Sequence, residues 1–159
     1  MTSVELLLYL HYLSLFLMTA GLGAVMIPLW RGWREEDDLD RRLGAFEDAT
    51  NGHKAALLPG TIAVGATGVF LAADAGYNFF TTGWLLALEI VYLVVLFVCV
   101  PLLGHALNRV EIESLKSKKK GEPTDELREI IDDNVPIVLT LVTLALIPIM
   151  VWLAEFKPF

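Results

Sequence analysis

Four long apolar stretches dominate the chain and limit the folds that are open to it. Each is close to the ~20 residues that an α-helix needs to cross a bilayer core about 30 Å thick. In lipid, a helix satisfies every backbone hydrogen bond within such a stretch. The sequence therefore predicts an all-α integral membrane protein whose four transmembrane helices form an up-down bundle. These helices, numbered one to four, cover residues 4–30, 55–73, 84–105 and 136–154.

Composition and charge support a single membrane domain over residues 1–159. Of the residues, 55% are hydrophobic, which leaves no room for a separate soluble domain. The net charge of -7 lies almost entirely in the loops 31–54 and 106–135, and acidic loops argue against a nucleic-acid partner. Both loops also hold most of the lysine and arginine, which predicts that they face the cytoplasm and that both termini lie outside. A bacterial-type inner membrane is the expected location.

The two loops carry helical signals of their own. Loop 31–54 mixes apolar and charged residues at near-helical spacing, which is typical of a short helix on a membrane surface. In loop 106–135, helix three is expected to continue to about Leu115. A break at Gly121 follows, and Thr124 is the expected N-cap of a helix over residues 125–133.

Small residues at four-residue spacing predict close contacts between helices, because they let two backbones approach. Helix two has two such pairs and is therefore expected to be the central helix, whereas helix one has one pair. The pairs are Ala56 with Gly60, Gly68 with Ala72, and Ala20 with Ala24.

Two ionisable residues inside the predicted spans are the leading candidates for a functional site. His11 and Glu89 each lie about two turns from the outer face, so both should be roughly 10 Å deep. Ionisable groups at such depth are costly and often functional. A hydrogen-bonded pair, a proton relay, and a haem ligand with its supporting residue all fit this placement. The structural alternatives are a histidine satisfied by a carbonyl group and a protonated carboxyl bonded within the bundle.

His53 and His105 form a second candidate site at the predicted cytoplasmic face. His53 precedes helix two and His105 ends helix three, so a metal ion or a bis-histidine haem between them is geometrically conceivable. Histidines near helix ends also commonly face headgroups or water, and this reading stays open beside the first.

Short motifs in all four helices resemble the HemJ-type protoporphyrinogen oxidases. Helix one has a histidine, an Ala-Gly pair and then proline and arginine, helix two has proline and glycine nine residues apart, and helix three opens with Gly-Trp-Leu. An Asn-x-Pro sequence precedes helix four, and Lys-Pro-Phe ends the chain. The residues are His11, Ala20, Gly21, Pro28, Arg31, Pro59, Gly68, Gly83, Trp84, Leu85, Asn134, Pro136, Lys157, Pro158 and Phe159.

The resemblance implies a haem b bound by His11 and the oxidation of protoporphyrinogen IX to protoporphyrin IX. Glu89 would then tune the haem or relay protons as the catalytic residue, and a porphyrin would be the ligand. The family's functional lysine, however, corresponds to Leu88 here, and leucine has no ammonium group. The resemblance thus favours a haem-binding redox protein over a complete oxidase.

Two other classes remain as alternatives. A non-catalytic accessory or scaffold subunit would use its small-residue faces to dock other helices, in a larger membrane complex or a homo-oligomer. A small transporter would need a polar pathway, for which four helices with one candidate pair offer little unless the protein oligomerises.

Overall fold

All regular secondary structure in the described part of the chain is helical. The computed structural model describes residues 2–34 and 38–159, and within them four helices are long and apolar enough to span a membrane. The prediction of an all-α protein with four membrane-spanning helices is thereby confirmed. The helices are α1 (Ser3–Arg34), α2 (Leu39–Asp74), α3 (Gly83–Lys120), α4 (Asp125–Asp132) and α5 (Val135–Phe156).

The long helices α1, α2, α3 and α5 are the predicted helices one to four. Following the predicted orientation, we call the end of the bundle at Ser3 and Phe156 the outer end, and the opposite end the inner end. Two π-helical turns, His53–Leu57 in α2 and Val95–Cys99 in α3, interrupt the regular hydrogen bonding without ending either helix. Each π turn lies just before a proline, Pro59 or Pro101, which has no N–H to donate.

The helix expected on the membrane surface is instead the beginning of α2. This helix starts at Leu39 and continues into the span, whereas residues 35–37 of the same predicted loop lie outside the described residues. The prediction of a separate surface helix is wrong because the apolar face of this segment has a protein partner. Ala45, Phe46 and Ala49 are buried against α1 and the inner half of α3.

The predicted break at Gly121 and the predicted N-cap at Thr124 are confirmed. Gly121 ends α3 in a left-handed conformation with a φ angle of 80°. The hydroxyl of Thr124 accepts a hydrogen bond from the backbone N–H of Leu127 at 3.2 Å, as expected of an N-cap. α3 itself runs to Lys120, past the predicted end near Leu115.

Each spanning helix has two principal neighbours. α1 packs against α2 and α5, and α3 contacts α5 along its length and α2 chiefly at the inner end. The order around the bundle is therefore α2, α1, α5, α3, which places α1 and α3 on a diagonal. The expectation that helix two is central is wrong, because in this ring no helix has more principal neighbours than another.

The contact between α1 and α2 is close because it is made by glycine. A Cβ atom added to Gly60 would lie 2.5 Å from the backbone nitrogen of Met18, and one added to Gly21 would lie 2.6 Å from the Cα of Leu57. Ala24 lies against Gly52 in the same interface. Gly60 and Ala24 thus have the contact role predicted for them, and Gly21 adds the tightest approach from α1.

Candidate functional site

His11 meets α2 through a side-chain hydrogen bond. Its Nδ1 atom lies 2.8 Å from the Oγ1 atom of Thr67, and the hydroxyl of Thr67 donates its proton to the carbonyl of Ala63 at 2.7 Å. With the hydroxyl proton on this carbonyl, Oγ1 accepts the N–H of His11 Nδ1, and we assign the neutral ring to that tautomer. In that tautomer the lone pair of the neutral ring is on Nε2, and the ring also lies close to the backbone carbonyl of Val64 on α2. The lone pair of Nε2 is the one that a metal ion or a proton would bind.

Glycines on α2 leave room for side chains from both neighbouring helices. A Cβ atom on Gly68 would lie 3.3 Å from Cε1 of His11, which reaches α2 from α1. Tyr92 reaches it from α3, lies against Gly65, and donates its hydroxyl proton to the carbonyl of Thr61 at 2.8 Å. The outer half of α2 is therefore a glycine-bearing face with an imidazole on one side and a phenol on the other.

Helical register places Glu89 close to the level of His11. Glu89 precedes Tyr92 by three residues, or about 4.5 Å along α3 toward the outer end. The same distance separates Gly65 from Gly68 on α2, and Gly68 is the residue that contacts His11.

The structure does not join His11 and Glu89 in a hydrogen-bonded pair. His11 donates to Thr67, and Glu89 makes no hydrogen bond or ion pair among the residues that the structure describes. The diagonal arrangement of α1 and α3 is the reason, because α2 and α5 lie between them. Thr67 and Tyr92 are not among the site residues predicted from the sequence. A sequence signal for each existed: Thr67 adjoins Gly68, and Tyr92 lies one turn from Glu89 on the same helix.

No hydrogen bond joins His53 and His105, both of which the structure describes. His53 is buried, and its Nε2 atom donates to the carbonyl of Val100 on α3 at 3.0 Å. A Cβ atom on Gly104 would lie 2.7 Å from Cε1 of the same ring, so Gly104 provides the space that the ring occupies. His105 is exposed on α3. Among the described residues, no group of three or more His, Cys, Asp and Glu side chains is arranged to hold a metal ion.

The packing of His53 predicts a structural role. We expect His53→Ala to lower the free energy of unfolding by about 2 kcal/mol, since it removes a buried hydrogen bond and leaves a cavity between α2 and α3. His105→Ala is the matched control and should have no measurable effect. Unfolding of the purified proteins in mixed detergent micelles measures both, and equal effects of the two substitutions would contradict the assignment.

At the outer end, two motifs that are distant in sequence meet in space. The backbone N–H of Trp84 at the start of α3 donates to the carbonyl of Phe159 at 3.2 Å. Lys157 donates to the hydroxyl of Tyr77 at 3.0 Å, and its ammonium group lies 5.3 Å from the ring centre of Trp84. The Gly-Trp-Leu and Lys-Pro-Phe motifs therefore close the outer end of the bundle together.

Leu88 is a packing residue. It is partly buried and contacts both apolar clusters, the main core and the smaller cluster around Trp84 at the outer end. An ammonium group at this position would have to displace apolar contacts within the predicted span, at a cost of about 2.5–3.5 kcal/mol or more.

These features define the class of the protein: an integral membrane protein that crosses the bilayer several times. The chain belongs to the family described as predicted integral membrane protein (DUF2269), whose model matches residues 5–158. Comparisons with curated proteins and with solved structures found no match. The family description names no reaction and no cofactor.

Proposed function

We propose that this protein binds one b-type haem through Nε2 of His11 and works as a redox protein of a bacterial-type inner membrane. The observation that carries the proposal is the hydrogen bond between His11 and Thr67. A histidine that binds a metal ion typically donates its other N–H to a protein acceptor, which sets the tautomer and the orientation of the ring. The Nδ1 atom of His11 lies 2.8 Å from such an acceptor, the hydroxyl oxygen of Thr67.

The surroundings of His11 fit a haem better than a metal ion bound by protein side chains alone. A haem iron needs one or two axial ligands from the protein, and His11 offers one. The other two histidines are too far away to act as a second ligand. His53 precedes Gly68 by 15 residues on α2, which amounts to roughly 20 Å along the helix. His11 is only partly buried, so part of its side chain is open to the lipid.

When bound, a haem supplies one-electron chemistry, and the protein contributes its position and surroundings. Thr67 holds the imidazole of His11, and Gly68 leaves space for it. The resemblance to the HemJ-type oxidases supports the haem. Leu88, however, stands where that family has its functional lysine, so the resemblance does not extend to the oxidation of porphyrinogen. We therefore assign haem binding to the chain without the oxidase reaction.

An absorption spectrum tests the proposal. Protein produced with a supply of haem and purified in mild detergent should show a Soret band and a pyridine haemochrome of b type, near one haem per chain. His11→Ala should abolish the band, and added imidazole should restore part of it by filling the space that the side chain leaves.

His105→Ala is the control for this experiment, because it removes an exposed histidine from the same membrane protein. It should keep the full Soret band. A folded, colourless wild-type protein, or an undiminished band in His11→Ala, would exclude the proposal. The first of these results would favour a non-catalytic accessory or scaffold subunit, and chemical cross-linking in membranes would then test for a larger complex.

A further inference from the structure

The carboxyl group of Glu89 has no partner in the described part of the protein. It makes neither a hydrogen bond nor an ion pair there, although it lies about two turns inside a membrane-spanning helix. Polar groups in lipid are normally paired within the bundle, because water does not replace a missing hydrogen bond. The other intramembrane polar side chains follow this rule: the hydroxyls of Ser14, Thr61, Thr140 and Thr143 donate to carbonyls of their own helices.

No cation of the described residues neutralises this carboxyl. The lysines and arginines belong to the inner half of the molecule, except for Lys157 at the outer end. The ammonium group of Lys157 is occupied by the hydroxyl of Tyr77 and the rings of Tyr77 and Trp84. An ionised Glu89 would therefore be an unpaired charge in the span, which is energetically costly. Binding a proton removes this cost.

Glu89 is also open to the bilayer. It is only partly buried by the protein, and Leu86, Ile90 and Leu93 beside it on α3 are exposed as lipid-facing side chains are. Tyr92, one turn further along the helix, does not bond to it, because its proton is given to Thr61. The carboxyl group is thus reachable by a molecule dissolved in the lipid.

From these observations we propose that Glu89 is a proton-binding site open to the lipid. It holds a neutral carboxylic acid that donates a hydrogen bond to an uncharged acceptor arriving through the bilayer. The proposal does not depend on a haem at His11. Glu89 thus keeps the proton-binding role that its depth suggested, but acts without His11 as a partner.

Dicyclohexylcarbodiimide is a suitable probe, because it is lipid-soluble and reacts with protonated carboxyl groups. The acid proton moves to a carbodiimide nitrogen while a carboxyl oxygen bonds to the central carbon, and the adduct rearranges to a stable N-acylurea. Protein in membranes prepared without added haem should gain one such adduct at neutral pH, located on Glu89 by peptide mass spectrometry. Glu89→Gln, which preserves the shape of the side chain, should lose the adduct completely.

Glu155 supplies the matched control, because it is an exposed carboxyl at the outer end of α5. Glu155→Gln should keep the dicyclohexylcarbodiimide adduct. A water-soluble carbodiimide with an added amine should modify Glu155 and leave Glu89 intact. An unlabelled Glu89 in the folded wild-type protein, or equal modification of Glu89 and Glu155 by the water-soluble reagent, would overturn the proposal. Because the haem is absent from this experiment, its outcome is separate from that of the His11 test.

Discussion

Gly21→Ala is expected to destabilise the bundle by about 3 kcal/mol, at the upper end of the range for added volume in a packed interface. The new methyl group would lie 2.6 Å from the carbonyl carbon of Ala56 and 2.6 Å from the Cα of Leu57. All of these neighbours are backbone atoms, which cannot move aside as a flexible side chain can. The clash is relieved only by separating α1 from α2, and this breaks the most extensive contact in the protein.

Gly23→Ala is the control for this substitution, because it adds the same methyl group two residues away. A Cβ atom on Gly23 has no atom within 4 Å, so this variant should be as stable as the wild type or slightly more stable. Unfolding in mixed micelles with increasing dodecyl sulfate gives the two free energies. Similar values for Gly21→Ala and Gly23→Ala would show that α1 and α2 do not meet at Gly21.

The membrane-spanning helices are predictable from the sequence for a simple physical reason. A run of about 20 apolar residues has few alternatives in water or in lipid, so its secondary structure is set locally. The same holds for the break at Gly121 and the cap at Thr124, which depend on a positive φ angle and on one hydroxyl group. These features need no information about the rest of the chain.

The neighbours of each helix are much harder to predict. A membrane helix is apolar on most sides, so its sequence does not tell which face meets protein and which meets lipid. For this reason the depths of His11 and Glu89 were accessible from residue counting, whereas the diagonal positions of α1 and α3 were not. The prediction of a surface helix at the inner end was wrong for a different reason. The start of α2 has an amphipathic pattern that suits a membrane surface, but its apolar face is covered by α1 and α3.

The candidate site was likewise predictable only in part, because its residues can be read from the sequence but their contacts between helices cannot. The sequence identifies His11 as an ionisable group in a span, and the structure adds the hydroxyl of Thr67 as the partner of its Nδ1 atom. Which nitrogen is bonded depends on the rotation of α1 against α2. The residues Gly21 and Gly60 that permit this close packing are therefore part of what positions the site.

Thr67→Val should weaken haem binding about 10–100-fold, the usual consequence of removing the partner of a metal-binding histidine. Valine has the shape of threonine but cannot accept the N–H of His11 Nδ1, so the ring loses its fixed orientation and tautomer. Thr67 is a positioning residue in this proposal, since it acts through His11. Titration of haem into haem-free protein, followed at the Soret band, measures the change.

Thr19→Val is the matched control, because the hydroxyl of Thr19 also donates to carbonyls of its own helix, at 2.9 and 3.0 Å, but no side chain donates to it. It should leave haem binding unchanged, and Thr67→Ser should restore most of the affinity because it keeps the acceptor. Nitrogen NMR of the labelled histidine ring supplies a readout without haem: the wild type should hold its proton on Nδ1, and Thr67→Val should mix the two tautomers. A tautomer distribution that is the same in both proteins would contradict the role of Thr67.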